Sequence, residues 1–374
     1  MNKNNYIAVD IFSGAGGMSV GASLAGINVK LSVELDQYAA ETYRFNHPNT
    51  QVLQNDISEV DPLEHISESP FILFGGPPCQ GFSHANTRTR NLDNPNNWMF
   101  KEYLRFVDTL QPDWFVFENV EGFASFDKGN FSNDVESALQ KLGYQTSSKI
   151  LNAAVFGVPQ KRFRFFIIGH KKTLGGIAFD FDSLEHISPV TIHDAIFDLP
   201  LLQNGQMSQK LQYKCEPKSE YARLLRNGMS HAIQNFVSKN NDTVIERYKV
   251  IKQGENWKAA AEKGFMTTYS STHNTHSGIY RRLKYKDFAP TISNYRKSML
   301  IHPTQHRGLS LREAARIQSF PDSYEFQGPI SYMQQQVGNA VPPLLAKTIF
   351  EKIVDYSKQA NQTSDTLIDR YKVG

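Results

Sequence analysis

The stretch YIAVDIFSGAGG, residues 6–17, decides how this chain folds. Its first seven residues form an apolar, β-rich run that breaks at Ser13-Gly14, where glycines free the backbone to turn tightly before a helix. Such a turn lets the backbone approach a ligand and leaves helix N-terminal N–H groups pointing at it. Working outward, the same texture returns in VKLSVEL (29–35), FILFGG (71–76), WFVFENV (114–120) and RFFIIG (164–169). Helical patterns separate these runs; from Asp134 to Leu142, for example, Val135, Leu139 and Leu142 share one face. Continuous apolar strands alternating with helices predict an α/β fold with a mainly parallel sheet covered on both faces.

Composition sets the outer limits. The chain has 374 residues, 40% hydrophobic and 21% charged, the balance of a folded globular protein with room for one large domain and a smaller companion. The start, MNKNNYIAVDIF, is too short and wrongly flanked for a signal peptide. No later run reaches the roughly 18 apolar residues of a membrane span, so a cytoplasmic protein is expected. Two cysteines, Cys79 and Cys215, exclude a disulfide framework and offer no zinc spacing, and His273 and His276 read as loop residues rather than metal ligands. A net charge of +3 permits a polyanionic partner without requiring one.

From about residue 175 to 310 Gln, Asn, Ser and Lys are in excess, with clusters such as Tyr280-Arg281-Arg282-Leu283-Lys284-Tyr285-Lys286, and a small loop-rich domain is predicted there. Helical spacing returns in SLREAARIQSF (310–320) and PPLLAKTIFEKIV (342–354), and the tail beyond about Gln359 reads as frayed.

Several loops carry chemistry. Glu34 ends the strand after the glycine turn, about 20 residues on, where an acidic side chain can hold ribose hydroxyls; taken alone, this pattern suits a nicotinamide cofactor equally well. Asp56 adds a polar group at the same sheet edge. GGPPCQGFS (75–83) sets Cys79 just past a buried strand, in a loop stiffened by two prolines, which is an exposed thiol held in one place. Glu118-Asn119-Val120 ends another strand, and carboxyl ends of strands in an open α/β sheet converge on one crevice, although a carboxylate here also suits a helix cap. In QKRFR (160–164), strand alternation sets Arg162 and Arg164 on one face, suited to an anionic or carbonyl-rich ligand. QVGNAVPP (336–343) offers a further loop of backbone donors before a Pro-started helix.

In content and order, DIFSGAGG (10–17), GGPPCQGFS, ENV (118–120), QKRFR, LREAARIQSFPDSY (311–324) and QVGNAVPP resemble six motifs of the cytosine-5 DNA methyltransferase family, of the bacterial and phage type. The resemblance spans residues 6–170 and 308–354 and displaces the nicotinamide reading, because a dehydrogenase would not also supply PPCQ, ENV and GNAVPP. It implies a Rossmann-like S-adenosylmethionine-dependent methyltransferase domain with a mixed, mostly parallel sheet, plus a smaller loop-rich target-recognition domain. Residues 1–175 and 330–360 would form the catalytic domain, 176–329 the target-recognition domain and hinge, and 361–374 a C-terminal tail.

The same resemblance assigns roles. Cys79 would attack carbon 6 of a cytosine flipped out of the duplex, Glu118 would hydrogen-bond the ring, and Arg164 with Arg162 would hold its O2 side. S-adenosylmethionine, leaving as S-adenosylhomocysteine, would meet Phe12, Gly14, Gly16 and Gly17 with its methionine part, Glu34 with its ribose, and Leu35, Asp56 and Ile57 with its adenine. Pro78, Asn339 and Ala340 would complete the cofactor set, with no metal. Where relatives carry an Arg-Gly pair after the catalytic motif, this chain has Asp93-Asn94-Pro95-Asn96-Asn97-Trp98-Met99, so Arg88 or Arg90 would take over the phosphate contact. Ser83, Arg281, Arg282, Arg296 and Lys297 are the remaining candidate DNA contacts. The implied partner is double-stranded DNA, met by a monomer outside any membrane, with a cognate restriction endonuclease acting separately. Transfer RNA as substrate, or an inactive fold that only binds DNA, are the alternative readings.

Overall fold

The computed structural model describes residues 6–78, 99–175, 178–266, 276, 278–293, 295 and 299–371. By contact, the chain divides into two compact units: residues up to Asn152, Phe163–His186 and everything from Pro343; and Ala153–Arg162 with Ile187–Pro342. This division differs from the expected boundaries at 175 and 330: the 153–162 segment, where Gln160 bridges Ala289 in parallel, belongs to the second unit.

The first unit is built on seven strands: β1 (Ile7–Ile11), β2 (Asn28–Glu34), β3 (Gln51–Gln54), β4 (Ile72–Gly75), β5 (Trp114–Val120), β6 (Tyr144–Asn152) and β7 (Phe163–Lys171). Their order in the sheet is β3-β2-β1-β4-β5-β7-β6. The first five run parallel, and β7 is antiparallel to both β5 and β6, which makes the sheet mixed and Rossmann-like as expected. Strand order reverses direction between β1 and β4, so the loops leaving their carboxyl ends diverge and open a crevice there. Register then matters: Val120 faces Arg164 across β5 and β7, which brings the start of β7 to the carboxyl end of β5.

Helices α1 (Gly17–Leu24), α2 (Gln37–Asn46), α3 (Met99–Leu110), α4 (Glu121–Ser125) and α5 (Asn130–Lys141) connect these strands. Leu73, Phe115 and Phe117 are buried with Tyr103, Phe106 and Val107 of α3 and Val135 and Leu139 of α5, one continuous apolar cluster. At the other end of the chain a helix of 29 residues, Pro343–Tyr371, contributes Phe350 against Phe74 and Tyr356 against Trp114. It contains no glycine or further proline beyond its first residue, and its backbone stays helical past Gln359, where polar composition had suggested fraying.

The second unit holds helices α6 (Ile192–Ile196), α7 (Glu220–Arg226), α8 (Asp242–Val250), α9 (Trp257–Glu262), α10 (Leu311–Ile317) and α11 (Ile330–Asn339), with the antiparallel pair β8 (Met207–Gln212) and β9 (His231–Phe236). The helix Pro343–Tyr371 of the first unit is therefore α12. Tyr248, Ile251, Trp257, Tyr280 and Ile301 form a core of the second unit. Helix α10 is buried throughout, charges included: Arg307 grips Glu313 at 2.6 and 2.8 Å, and Arg316 grips both Asp322 and Asp198. Among the described residues no helix is long and apolar enough to cross a membrane.

Candidate active site

The glycine turn is built at the carboxyl end of β1. Phe12, Gly14 and Gly16 all have left-handed backbone, with φ of 57°, 54° and 78°, which Gly14 and Gly16 adopt without strain. The Ser13 hydroxyl accepts from Ser32 on β2 at 2.7 Å, and Gly14 donates its N–H to the Glu34 carboxylate at 2.6 Å. The other Glu34 oxygen accepts from Asp36 N–H at 2.8 Å. Burial pushes the Glu34 carboxyl up from its ordinary value, and these N–H donors pull against it. A Cβ at Gly14 would meet nothing within 4 Å, so the loop lines open space.

Beyond it Leu35 is 67% exposed, while Ile57 is buried and Asp56 caps the short turn Ile57–Glu59 by accepting from Ser58. Arg105 on α3 fixes that turn by donating to the carbonyls of Ile57 and Val60, a contact the sequence did not disclose.

Under the turn lies Asp10, fully buried. Its Oδ2 accepts from the Ser19 hydroxyl at 2.5 Å, and Ser19 in turn pairs with the Tyr43 hydroxyl at 2.6 Å. Its Oδ1 has no hydrogen-bond partner among the described residues, and burial raises its pKa to about 8. Asp10 stands inside the quoted motif, and the signal that could have singled it out is an acid in the middle of an otherwise buried strand.

The second half of the site surrounds the end of β4. A Cβ on Gly75 would sit 2.1 Å from the Ile11 carbonyl, and one on Gly76 would sit 2.5 Å from Glu118 Oε2, so both positions exclude any side chain. Asn119 donates its side-chain amide to the Pro77 carbonyl at 3.1 Å, which ties the Gly75–Pro78 turn to β5. Glu118 Oε1 receives Arg164 Nε at 2.9 Å, both side chains 11% exposed. Burial works against the Arg164 charge, and Glu118 and Glu121 support it. Pro78 is exposed and is the last described residue before Cys79; Cys79, Ser83, Arg88 and Arg90 lie outside the described residues, as do Arg296 and Lys297.

Two expected ligands have other work. Arg162 stands one residue before β7, and burial alternates here: Arg162 is buried, Phe163 is exposed and Arg164 is mostly buried. The Arg162 side chain is fully buried and donates to the carbonyls of Ile292 at 2.8 Å and Gly338 at 2.8 Å. Arg282, expected as a DNA contact, is likewise buried. It donates to the carbonyls of Ile251, Tyr248, His302 and Gln305, which leaves it no reach to a phosphate. Its neighbour Arg281 is half-buried. Asn339, the last residue of α11, is exposed, and Ala340 follows as its cap.

A family model described as C-5 cytosine-specific DNA methylase matches residues 6–355. Type II methyltransferase M.DdeI of Desulfomicrobium norvegicum is 33% identical, over 96% of this chain and 91% of its own length. Type II methyltransferase M1.HphI of Haemophilus parahaemolyticus is 36% identical, over 92% and 86%. Among solved structures, a protein described as a DNA modification methyltransferase encoded within an E. coli prophage superposes with a TM-score of 0.77 at 27% identity, covering 93% of this chain and 98% of that one.

Proposed function

Because this chain belongs to the C-5 cytosine-specific DNA methylase family, and so methylates DNA at carbon 5 of cytosine, we propose that it acts through Cys79 as a covalent nucleophile on an extruded base. The observation that carries this reading is the convergence of two strand ends. Gly76, three residues before Cys79, packs against the Glu118 carboxylate, and Arg164 holds that carboxylate from the far side.

Carbon 5 of cytosine is a weak nucleophile. The Cys79 thiolate adds to carbon 6, the ring electrons move to carbon 5, and Glu118 hydrogen-bonds the ring edge so that charge built up on addition is stabilised. Arg164 orients Glu118 and reaches toward the base carbonyl. After transfer a base takes the proton from carbon 5 and the carbon–sulfur bond breaks, returning the thiolate.

The family implies S-adenosylmethionine, which supplies a methyl group on a positively charged sulfur. The residues present fit it. Open space at Gly14 and the exposed Leu35 leave room for it, and beneath the turn lies a buried Asp10 oxygen with no hydrogen-bond partner among the described residues. Phe12, Gly14, Gly16 and Gly17 would hold the methionine part, Glu34 the ribose, and Leu35, Asp56 and Ile57 the adenine, with Pro78, Asn339 and Ala340 as further contacts. Arg281 remains a candidate for DNA, beside Ser83, Arg88, Arg90, Arg296 and Lys297.

The Type II relatives support a role as the modification partner of a separate restriction endonuclease. Bisulfite sequencing of DNA from cells expressing this protein should reveal methylcytosine at one short site, and Cys79→Ser should erase it while duplex binding persists. Labelled methyl entering transfer RNA but not duplex DNA would reject the assignment of substrate.

A further inference from the structure

Three buried side chains of the second unit, those of Gln160, Arg162 and Gln318, form a brace between Ile292 and residues 337–339. The Ile292 carbonyl accepts from Arg162 Nη1 at 2.8 Å, and Arg162 Nη2 donates to the Gly338 carbonyl at 2.8 Å and to the Asn339 carbonyl at 3.3 Å. On the other side of the same residue, the Ile292 N–H donates to Gln160 Oε1 at 2.7 Å. Gln160 Nε2 then donates to Gln318 Oε1 at 2.7 Å, and Gln318 Nε2 to the Val337 carbonyl at 2.6 Å. Gln160, Arg162 and Gln318 are all fully buried. Gly338 closes the contact directly, since a Cβ there would stand 2.0 Å from the Ser293 carbonyl.

Both polar groups of one residue, Ile292, are thus linked through side chains to consecutive carbonyls of the 337–339 turn. Each strut satisfies groups that burial would otherwise leave unpaired, so neither segment can shift without breaking hydrogen bonds on the other. Both terminal nitrogens of the guanidinium are thus spent on backbone carbonyls.

We propose that Arg162 is a positioning residue. It fixes the turn that presents Asn339 and Ala340, and so makes affinity for S-adenosylmethionine depend on the Ile292–Ser293 segment. The proposal rests on the reading of Asn339 and Ala340 as cofactor contacts.

Titration calorimetry of the whole protein with S-adenosylhomocysteine tests it, because stoichiometry reports the folded fraction separately from the dissociation constant. Losing one strut of charge-assisted hydrogen bonds should weaken binding about tenfold in Arg162→Lys and further in Arg162→Met, with stoichiometry held near one. Gln160→Ala, which cuts the other strut and keeps the guanidinium, should weaken it in the same direction and serves if the arginine variants do not fold. Unchanged affinity with reduced stoichiometry in all three would reduce Arg162 to a packing residue and overturn the proposal. So would unchanged affinity with a lowered single-turnover rate, the mark of an arginine that touches the base. Asn339→Ala separates the two layers: if it leaves affinity intact, the cofactor reading of this turn fails. If it weakens binding while the Arg162 and Gln160 variants do not, the brace fails and the reading stands.

Discussion

At Gly76 the whole tolerance of the site is a hydrogen atom. A methyl group there would lie 2.5 Å from Glu118 Oε2, and the carboxylate, held by Arg164 on its other oxygen, would have to leave its place. Gly76→Ala should therefore lower the single-turnover rate about 100-fold, the scale of a 1 Å misplacement, while cofactor affinity measured by calorimetry stays near that of the unmodified protein. Glu118→Gln keeps the shape but removes the charge that Arg164 opposes, and the rate should fall by roughly 100- to 10,000-fold, as for loss of a positioned acid–base group. A variant with undiminished rate would remove Glu118 from the chemistry. At this scale the sequence was legible where a motif constrained the backbone and illegible where a side chain had a hidden partner. Glu34 lies at the end of β2, next to the glycine turn, because strand length dictates it. Arg162 read as a ligand of the base and Arg282 as a DNA contact because a sequence shows charge but not the carbonyls that surround it.

Among the elements, the apolar runs located β1, β2, β4, β5 and β7, since a strand covered on both faces leaves a continuous hydrophobic trace. The two edge strands left none. Gln51–Gln54 is four residues long with glutamine at both ends, and Tyr144–Asn152 carries polar residues on its half-exposed face, as the last strand of a sheet can. Helix α12 was legible in spacing, but its partner was not: Gly21 of α1 lies so close that a Cβ would come within 2.6 Å of Ala346 Cβ and 2.7 Å of the Pro343 carbonyl. This crossing, not the cofactor, explains the glycine. Gly21→Ala should lower unfolding free energy by about 1–3 kcal/mol through overpacking, read as a shifted denaturation midpoint. A variant as stable as the parent would mean that the two helices can move apart without loss.

For the molecule as a whole, the second unit buries ionic groups where a hydrophobic core would be expected, and this makes it sensitive to acid. Burial alone would raise the Glu313 carboxyl, but the charge and hydrogen bonds of Arg307 hold it at about 2, against 4.5 for an ordinary glutamate. His302 is held near 4 rather than 6.5, first by burial and then by Arg307, Arg282 and Lys214, with Glu313 opposing. Its Nδ1 accepts from the N–H groups of Thr304 and Gln305, which suits the neutral ring. Both groups bind fewer protons folded than unfolded, so both favour folding more as pH rises. The His302 contribution is complete above 6.5 and fades as pH falls toward 4; that of Glu313 is complete above 4.5 and fades toward 2. Asp10 runs the other way, since its raised pKa of about 8 favours the fold in acid and loses that contribution as pH rises. A difference measurement cancels both the Asp10 and most of the His302 dependence. Glu313→Gln should be less stable than the parent near neutral pH by on the order of 3 kcal/mol, because Arg307 is left buried without its counter-charge. That gap should close as the parent's own carboxylate is protonated. Denaturant unfolding of both proteins from about pH 7 to about pH 3 reads it directly. A gap that stays constant across the acid range would mean that Glu313 keeps no charge advantage in the fold, and the buried pair would then be packing rather than electrostatics.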